Sequence, residues 1–437
     1  MTSTTTSAGS RGTTKPRGRG AATPDERDTS RLAALPVIGK LESPLTTYYL
    51  ILGAMTTLVV FGLIMVFSAS SVSSLLNDQA SYSVFARQAL FAVIGAAVAA
   101  GASRLPLAWW KRLSLPVFLG SVVLLGLVFV PSLGVEVGGN RNWLRLGPIQ
   151  IQPAELGKLA LVLVGAMVFA NKGRLVGLIR HAILPYLIPV AAIIIALVLG
   201  GHDLGTALVM FAIVGAVLAV SGVRGRFFLL AGTVGALGVA YLVQTSDNRM
   251  ARIANFLSPA CQADPDGWCG QSVHGMYALA DGGWWGVGLG ASKEKWDWLA
   301  EAHNDFIFAI IGEELGLPGT LVILFLFAVI AWGCYRLMVR TRDRFVRIAT
   351  AGIMAWLLAQ AIINIGAVIG LLPVIGVPLP LVSAGGSSLV TTMLALGILL
   401  CFARNEPGCR ALLAARPGML KRSLAVLPSR SPRRRNR

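Results

Sequence analysis

Between Glu301 and Gly316 the sequence reads Glu-Ala-His-Asn-Asp-Phe-Ile-Phe-Ala-Ile-Ile-Gly-Glu-Glu-Leu-Gly. Glu301, His303, Asn304 and Asp305 gather just ahead of an apolar run, and Glu313 follows eight residues after Asp305. Ionisable groups at the mouth of a hydrophobic stretch are costly to place there and mark functional sites. Asp305, in that position, is the leading functional candidate, a carboxylate able to accept a proton. His303 is the rival base, or a residue that fixes the loop and touches substrate. The plainer reading is that Asn304 and Asp305 only cap the helix that follows.

Other polar residues interrupt apolar surroundings in the same manner. In Gln152-Pro153-Ala154-Glu155-Leu156-Gly157-Lys158, Pro153 fits a first helical turn, so Glu155 and Lys158 fall three residues apart on one helix face. They either pair structurally or line a wet cavity. Asp203, in the short Gly201-His202-Asp203 turn, is a helix cap or a substrate ligand, and His202 alone is weak evidence for a metal. Arg141 stands in a glycine-rich loop from Gly138 to Gly147, beside Trp143. Arg249 and Arg252 share one face of an amphipathic helix, where guanidinium forks suit phosphate or lipid headgroups. Lys295 lies in the approach to the Glu301 stretch. Gln360 and Asn364, four residues apart, form a buried hydrogen-bonding face. The uncharged stretch from Leu372 leads to Ser387 and Ser388, where small residues bring backbone donors to a cavity mouth.

These residues need a membrane scaffold to hold them. The chain has 437 residues, 55% hydrophobic and 13% charged, against about 25% charged in soluble proteins. Apolar runs of roughly 20 residues recur, which predicts an all-α polytopic membrane protein. Ten spans are expected: Thr47–Ser68, Val84–Ala102, Leu113–Val130, Pro153–Ala170, Ile183–Leu199, Leu204–Val220, Phe227–Gln244, Phe306–Tyr335, Ile348–Leu371 and Ser387–Phe402. A large extracellular loop, residues 245–305, separates the seventh from the eighth. Residues 1–46 and 405–437 read as disordered basic tails, the first of them without the apolar core of a signal peptide.

The net charge of +18 follows the topology. With both termini inside, most Lys and Arg fall on inner segments and most acids on outer ones, the positive-inside pattern. The basic excess therefore reads as contact with anionic lipid rather than nucleic acid. No P-loop, no His-Glu-x-x-His and no Cys/His set at zinc spacing is present. Cys261 and Cys269 fall in the large outer loop around Asp264-Pro265-Asp266-Gly267, a setting that favours a disulfide over two free thiols.

Three separated stretches together resemble one family, the SEDS proteins (shape, elongation, division and sporulation), and its division branch in particular. They are Gln152 to Lys158, Ala302-His303-Asn304-Asp305-Phe306-Ile307-Phe308, and Pro380-Leu381-Val382-Ser383-Ala384-Gly385-Gly386-Ser387-Ser388. The resemblance covers residues 47–404. It implies a peptidoglycan glycosyltransferase that polymerises lipid II at the outer face of the bacterial plasma membrane, at the septum, releasing undecaprenyl diphosphate in an inverting displacement. It implies a class B penicillin-binding protein and other division-complex membrane proteins as partners. The essential aspartate of the family maps to Asp305, and its Glu and Lys of the fourth span to Glu155 and Lys158; its loop Arg and Asp positions suggest Arg249, Arg252 and Asp203. Arginine, or a divalent cation such as magnesium or manganese, would offset the charge that develops on the diphosphate. The sequence departs from the family at Asn142, His202, His274, Ala300 and Ala384. A lipid II flippase and a non-catalytic division scaffold are the rival functions.

Overall fold

A computed structural model describes residues 43–76, 80–137, 139–147, 149–172, 183–223, 270–296, 298–299 and 301–406, with scattered residues at 225–258 and 408–409. Arg249, Arg252, Cys261, Cys269, most of the expected seventh span and nearly all of both tails lie outside the described residues.

The apolar runs fold as helices because a backbone in hydrocarbon must satisfy its own hydrogen bonds. In chain order these are α1 (Pro44–Leu76), α2 (Ser83–Arg104), α3 (Leu107–Leu127), α4 (Pro153–Lys172), α5 (Ile183–Ala192), α6 (Ile193–Gly200), α7 (Leu204–Ser221), α8 (Gly270–Gly282), α9 (Ile307–Arg340), α10 (Arg344–Val368) and α11 (Gly386–Arg404). Among the described residues eight helices are long and apolar enough to cross a membrane, and Pro185–Gly200 is a shorter apolar helix. In that shorter helix α5 is wound as a π-helix around Pro189 and runs directly into α6; wide turns accommodate a proline that cannot donate to the preceding turn.

Central in the bundle is α4, packed against α3, α7 and α10. Its apolar window is 78% buried, against 22% for α2 and α3. On the other flank α11 packs along α2 and α9 along α1. Small residues permit the first of these contacts: a Cβ on Gly397 would lie 2.7 Å from the Ala99 Cα, the close backbone approach that replaces a hydrophobic driving force between helices in lipid.

The glycine-rich loop read from the sequence is not helical. It is a three-stranded antiparallel sheet of β1 (Gly134–Val137), β2 (Asn140–Leu146) and β3 (Ile149–Ile151) in sequential order. Gly134 pairs with Leu144 and Leu144 with Ile151. Gly139 (φ 80°) and Gly147 (φ 63°) supply the left-handed backbone that tight hairpin turns need.

Helix α9 bends at Gly316 (φ 64°, ψ −159°). Pro318 has no N–H for the carbonyl of Glu314, so that oxygen is released from the helix ladder. The Gly288 N–H takes it at 3.0 Å, and the Val287 N–H takes the Glu313 carbonyl at 2.9 Å. The Leu317 N–H in turn donates to the Gly283 carbonyl at 3.1 Å. These three groups, freed at the bend by Gly316 and Pro318, are satisfied by one loop, which fixes that loop to the bend.

Candidate active site

Asp305 sits in the turn that leads into α9. The N-cap position is Phe306, which makes no side-chain cap bond, so neither Asn304 nor Asp305 occupies it. The turn is tied down on three sides. Asn304 donates to the Glu301 carboxylate. The His303 carbonyl accepts the Ala384 N–H at 3.0 Å. Asn364, on α10, donates from Nδ2 to the Asp305 carbonyl at 2.7 Å and to the Val377 carbonyl at 2.8 Å. The half-buried Asp305 thereby lines a narrow cleft with Ile363, Asn364, Val374, Ile375 and Val377. Gly376, at φ 69°, closes on it: a Cβ there would lie 3.5 Å from Asp305 Oδ2. Burial pulls the neighbouring His303 below the usual imidazole range, partly opposed by the charge of Glu301. His303 is therefore neutral at physiological pH.

Glu155 and Lys158 pair directly, Nζ to Oε1 2.8 Å, and each residue is 2% exposed. Lys158 also donates to Gln360 Oε1 at 3.0 Å and lies 4.9 Å from the Trp356 ring centre. Gln360 Nε2 donates to the Pro378 carbonyl at 3.0 Å. Gln360 and Asn364 stand one turn apart on α10, so the two amides clamp consecutive carbonyls, Pro378 and Val377. The ion pair is thus joined to the Asp305 turn through α10 and the 377–378 backbone. It does not wall the Asp305 cleft itself. The sequence marked Gln360 and Asn364 as a polar face. The signal for their use as a link, amides four apart followed by a Pro/Gly segment, was available but silent about its partners.

Asp203 is both a cap and a hub. Its Oδ1 accepts the Thr206 N–H at 2.9 Å; Oδ2 accepts Thr206 Oγ1 at 2.8 Å, Asn142 Nδ2 at 2.8 Å and Gln152 Nε2 at 3.2 Å. With its oxygens so engaged, Asp203 holds β2 to α7. Asn142, a departure from the family pattern, finds its role in this bond. Half-buried Arg141 donates its N–H to the Gly201 carbonyl at 2.9 Å and lines a second cleft with Asn142, Asp203, Leu125 and Leu197. Ser387 Oγ accepts the Gln152 N–H at 3.2 Å, and Ser388 is buried in the first turn of α11.

Lys295 is not brought to Asp305. It is 5% exposed and its ammonium meets Glu314 at 3.0 Å, the Gly290 carbonyl at 2.7 Å and Ser68 Oγ at 3.4 Å. Ser68 donates to Glu314 at 2.7 Å, while Glu313 accepts Ser292 Oγ at 2.5 Å and the Lys293 N–H at 2.6 Å. These contacts form a clasp that binds the 290–295 loop to α1 and α9. Sequence reading missed it because Glu313 and Glu314 lie about twenty residues from their partners.

Among the described residues no three His, Cys, Asp or Glu side chains gather where they could hold a metal ion.

The sequence pattern of the FtsW/RodA/SpoVE family, described as cell cycle protein, matches residues 48–407. The chain is 37% identical over 375 residues to the "Probable peptidoglycan glycosyltransferase FtsW" of Mycobacterium tuberculosis, covering 86% of this chain and 71% of that one. It is 38% identical over 357 residues to the protein of the same name from Trichlorobacter lovleyi, covering 82% and 93%. A solved chain described under "Structural coordination of polymerization and crosslinking by a peptidoglycan synthase complex" superposes with a TM-score of 0.66 at 27% identity, over 82% of this chain and 98% of that one. The Thermus thermophilus rod shape determining protein RodA superposes at 0.62, also at 27% identity, over 82% and 97%.

Proposed function

This chain belongs to the FtsW/RodA/SpoVE cell cycle protein family, and from that premise we propose the reaction carried out at the Asp305 cleft. The protein is a multi-pass membrane peptidoglycan glycosyltransferase of cell division. Its substrate is lipid II, which carries a prenyl tail, a diphosphate and an amino-sugar head. The observation that carries the reading is the placement of Asp305: half-buried, at the mouth of α9, with its main chain locked by Asn364.

Asp305 accepts the proton of the acceptor sugar hydroxyl. The hydroxyl oxygen forms its bond to the anomeric carbon of the donor as the bond from that carbon to the diphosphate oxygen breaks. Undecaprenyl diphosphate leaves with the electron pair, and the anomeric centre inverts. A base positioned in this way contributes about a hundredfold to ten-thousandfold. Arg249 and Arg252 meet the diphosphate with forks that match its oxygens; Arg141, which lines the second cleft, is a further cation for it. His303 keeps the turn in place through its carbonyl, which accepts the Ala384 N–H. The charge asymmetry supports an outward-facing Asp305 end, with both termini in the cytoplasm, at the septum. A class B penicillin-binding protein then crosslinks the strands as they emerge.

The test is the purified chain with lipid II and no other polymerase. Glycan strands are expected from the wild type, and at least a hundredfold less from Asp305→Asn, which keeps shape but cannot accept the proton. Near-normal polymer from Asp305→Asn would overturn the base assignment. Lipid crossing without polymer would make the protein a flippase, and neither activity would leave a scaffold.

A further inference from the structure

Trp298, 61% exposed, and Tyr277, 47% exposed, share one buried ring as their support. That ring is His274, on α8. Its centre lies 5.8 Å from that of Trp298, with the planes 31° apart, and 5.9 Å from that of Tyr277, nearly edge-on. His274 Nδ1 is held by Glu294 Oε2 at 2.7 Å. The Leu299 N–H donates to the Glu294 carbonyl at 2.9 Å, and the Leu299 side chain is buried. A single turn, 294–299, therefore sets a carboxylate and a tryptophan on the same imidazole. Trp298 is braced from behind and open in front. Rings fixed in this way give contact area with little rotamer entropy left to lose on binding. The rim is polar, with acid in excess. Asp281 is exposed one turn beyond Tyr277, Lys293 is exposed beside Glu294, and the charges of Glu313 and Asp281 both bear on Glu294. The rings also adjoin the candidate active site. Gly275 follows His274 and lies against Phe306, the residue after Asp305: a Cβ there would be 2.9 Å from Phe306 Cε1.

We propose that Trp298 and Tyr277 form a stacking platform for the sugar rings of the glycan strand beside the Asp305 turn. The inference rests on the reaction proposed above and adds a binding site for its product. A pyranose carries C–H groups on its faces and hydroxyls around its edge. The C–H groups suit the electron-rich face of an aromatic ring. The edge hydroxyls can donate to carboxylates such as Asp281 and Glu294. An acyl chain would match the rings but leave those carboxylates against hydrocarbon, which is costly. A lipid phosphate would meet a rim with more acid than base. The platform lies outside the narrow cleft, on the surface, so a chain of sugars can lie across it without entering the bundle. His274, where the sequence departs from the family, acts through Trp298 as a positioning residue.

The experiment measures binding of a soluble chitin oligosaccharide, a chain of N-acetylated pyranoses, to the full-length protein in lipid nanodiscs without lipid II. The wild type should bind it saturably. Trp298→Ala should weaken binding about threefold to tenfold, the size of one aromatic contact. Trp298→Tyr keeps a ring and should retain most of the affinity. Trp285→Ala removes an exposed tryptophan outside the platform and should bind as the wild type does. Absence of saturable binding in the wild type overturns the platform and needs no variant to fold. Equal affinity in wild type and a folded Trp298→Ala overturns it too, as does an equal loss in Trp285→Ala. A further measurement separates sugar from lipid: the emission lost between wild type and Trp298→Tyr is followed in nanodiscs of acyl-brominated lipid. Quenching of that emission, unrelieved by the oligosaccharide, gives the ring to the bilayer and overturns the proposal. The base reading fails separately, as polymer from Asp305→Asn, a result that leaves this binding untouched.

Discussion

Lys158 is enclosed by Glu155, Gln360 and the Trp356 ring, with almost no water contact. Removing one member of such a buried pair leaves an uncompensated charge and should cost about 3–5 kcal/mol. Glu155→Ala is therefore expected to lower the thermal unfolding temperature in detergent more than the double replacement Glu155→Leu with Lys158→Met. If the pair serves the reaction through Gln360, the double variant recovers stability but not polymer yield; full activity in it would make the pair purely structural. His303 gives a second residue-level test. Its imidazole is held below the usual range by burial, so the unfolded chain binds a proton first as pH falls. The stability it contributes is complete above the unfolded value of about 6.5 and is lost as pH falls through the lower folded value. Unfolding temperatures measured from pH 7.5 to 5 should drop less in His303→Gln than in wild type, and parallel curves would remove His303 as the cause. Residue types were legible in the sequence wherever a charge interrupted an apolar run, as at Asp305, Glu155 and Lys158. Partners were not legible, because Lys295 with Glu314 and Asn142 with Asp203 meet only through the fold.

Helix α9 shows what a sequence reveals of an element and what it withholds. Its apolar run made the helix plain, but the bend at Gly316, two residues before Pro318, was not read from the sequence. The use made of the bend was hidden: it hands the Glu313 and Glu314 carbonyls to a loop some 25 residues upstream. Gly316 is the position on which this depends. Its φ of 64° is in the left-handed region, and a Cβ would meet Gly286 N at 2.5 Å and the Trp284 carbonyl oxygen at 2.7 Å. Both are backbone atoms that cannot step aside. Gly316→Ala should thus lose roughly 1–3 kcal/mol from strain alone and loosen the 283–290 loop, seen as faster proteolysis there. Gly53, in α1 with nothing near its missing Cβ, is the control: Gly53→Ala should gain roughly 0.5–1 kcal/mol. Equal behaviour of the two variants would refute the argument. The small sheet was the element least legible, since Gly138 to Gly147 reads as a loop, and its strands declare themselves only once β1, β2 and β3 lie side by side.

For the whole molecule, the charge pattern assigns an orientation that the helices alone do not carry, and the cysteines can test it. Of five cysteines, Cys334, Cys401 and Cys409 are buried thiols outside any disulfide, so a bulky charged maleimide should not reach them in the folded protein. Labelling of intact cells then reports on Cys261 and Cys269 alone. An outward loop with a disulfide predicts no label before reduction and two labels after it. Closing so short a loop would add about 2–3 kcal/mol of constraint in the entropic account. Label without reductant would keep the orientation and reject the disulfide. Label only after the cells are permeabilised would reverse the orientation, and with it the assignment of Asp305 to the outer face. Two introduced cysteines fix the reference ends. Trp285, 85% exposed beside the α9 bend, should react as Trp285→Cys from outside. Arg342, exposed between α9 and α10 near the Lys111–Asp343 pair, should react as Arg342→Cys only after permeabilisation. The ten-span arrangement requires these two sites to fall on opposite sides, because the single helix α9 lies between them. Reaction of both from the same side would show that α9 does not cross the membrane, and the reading of the chain as a lipid-linked polymerase would lose its geometry.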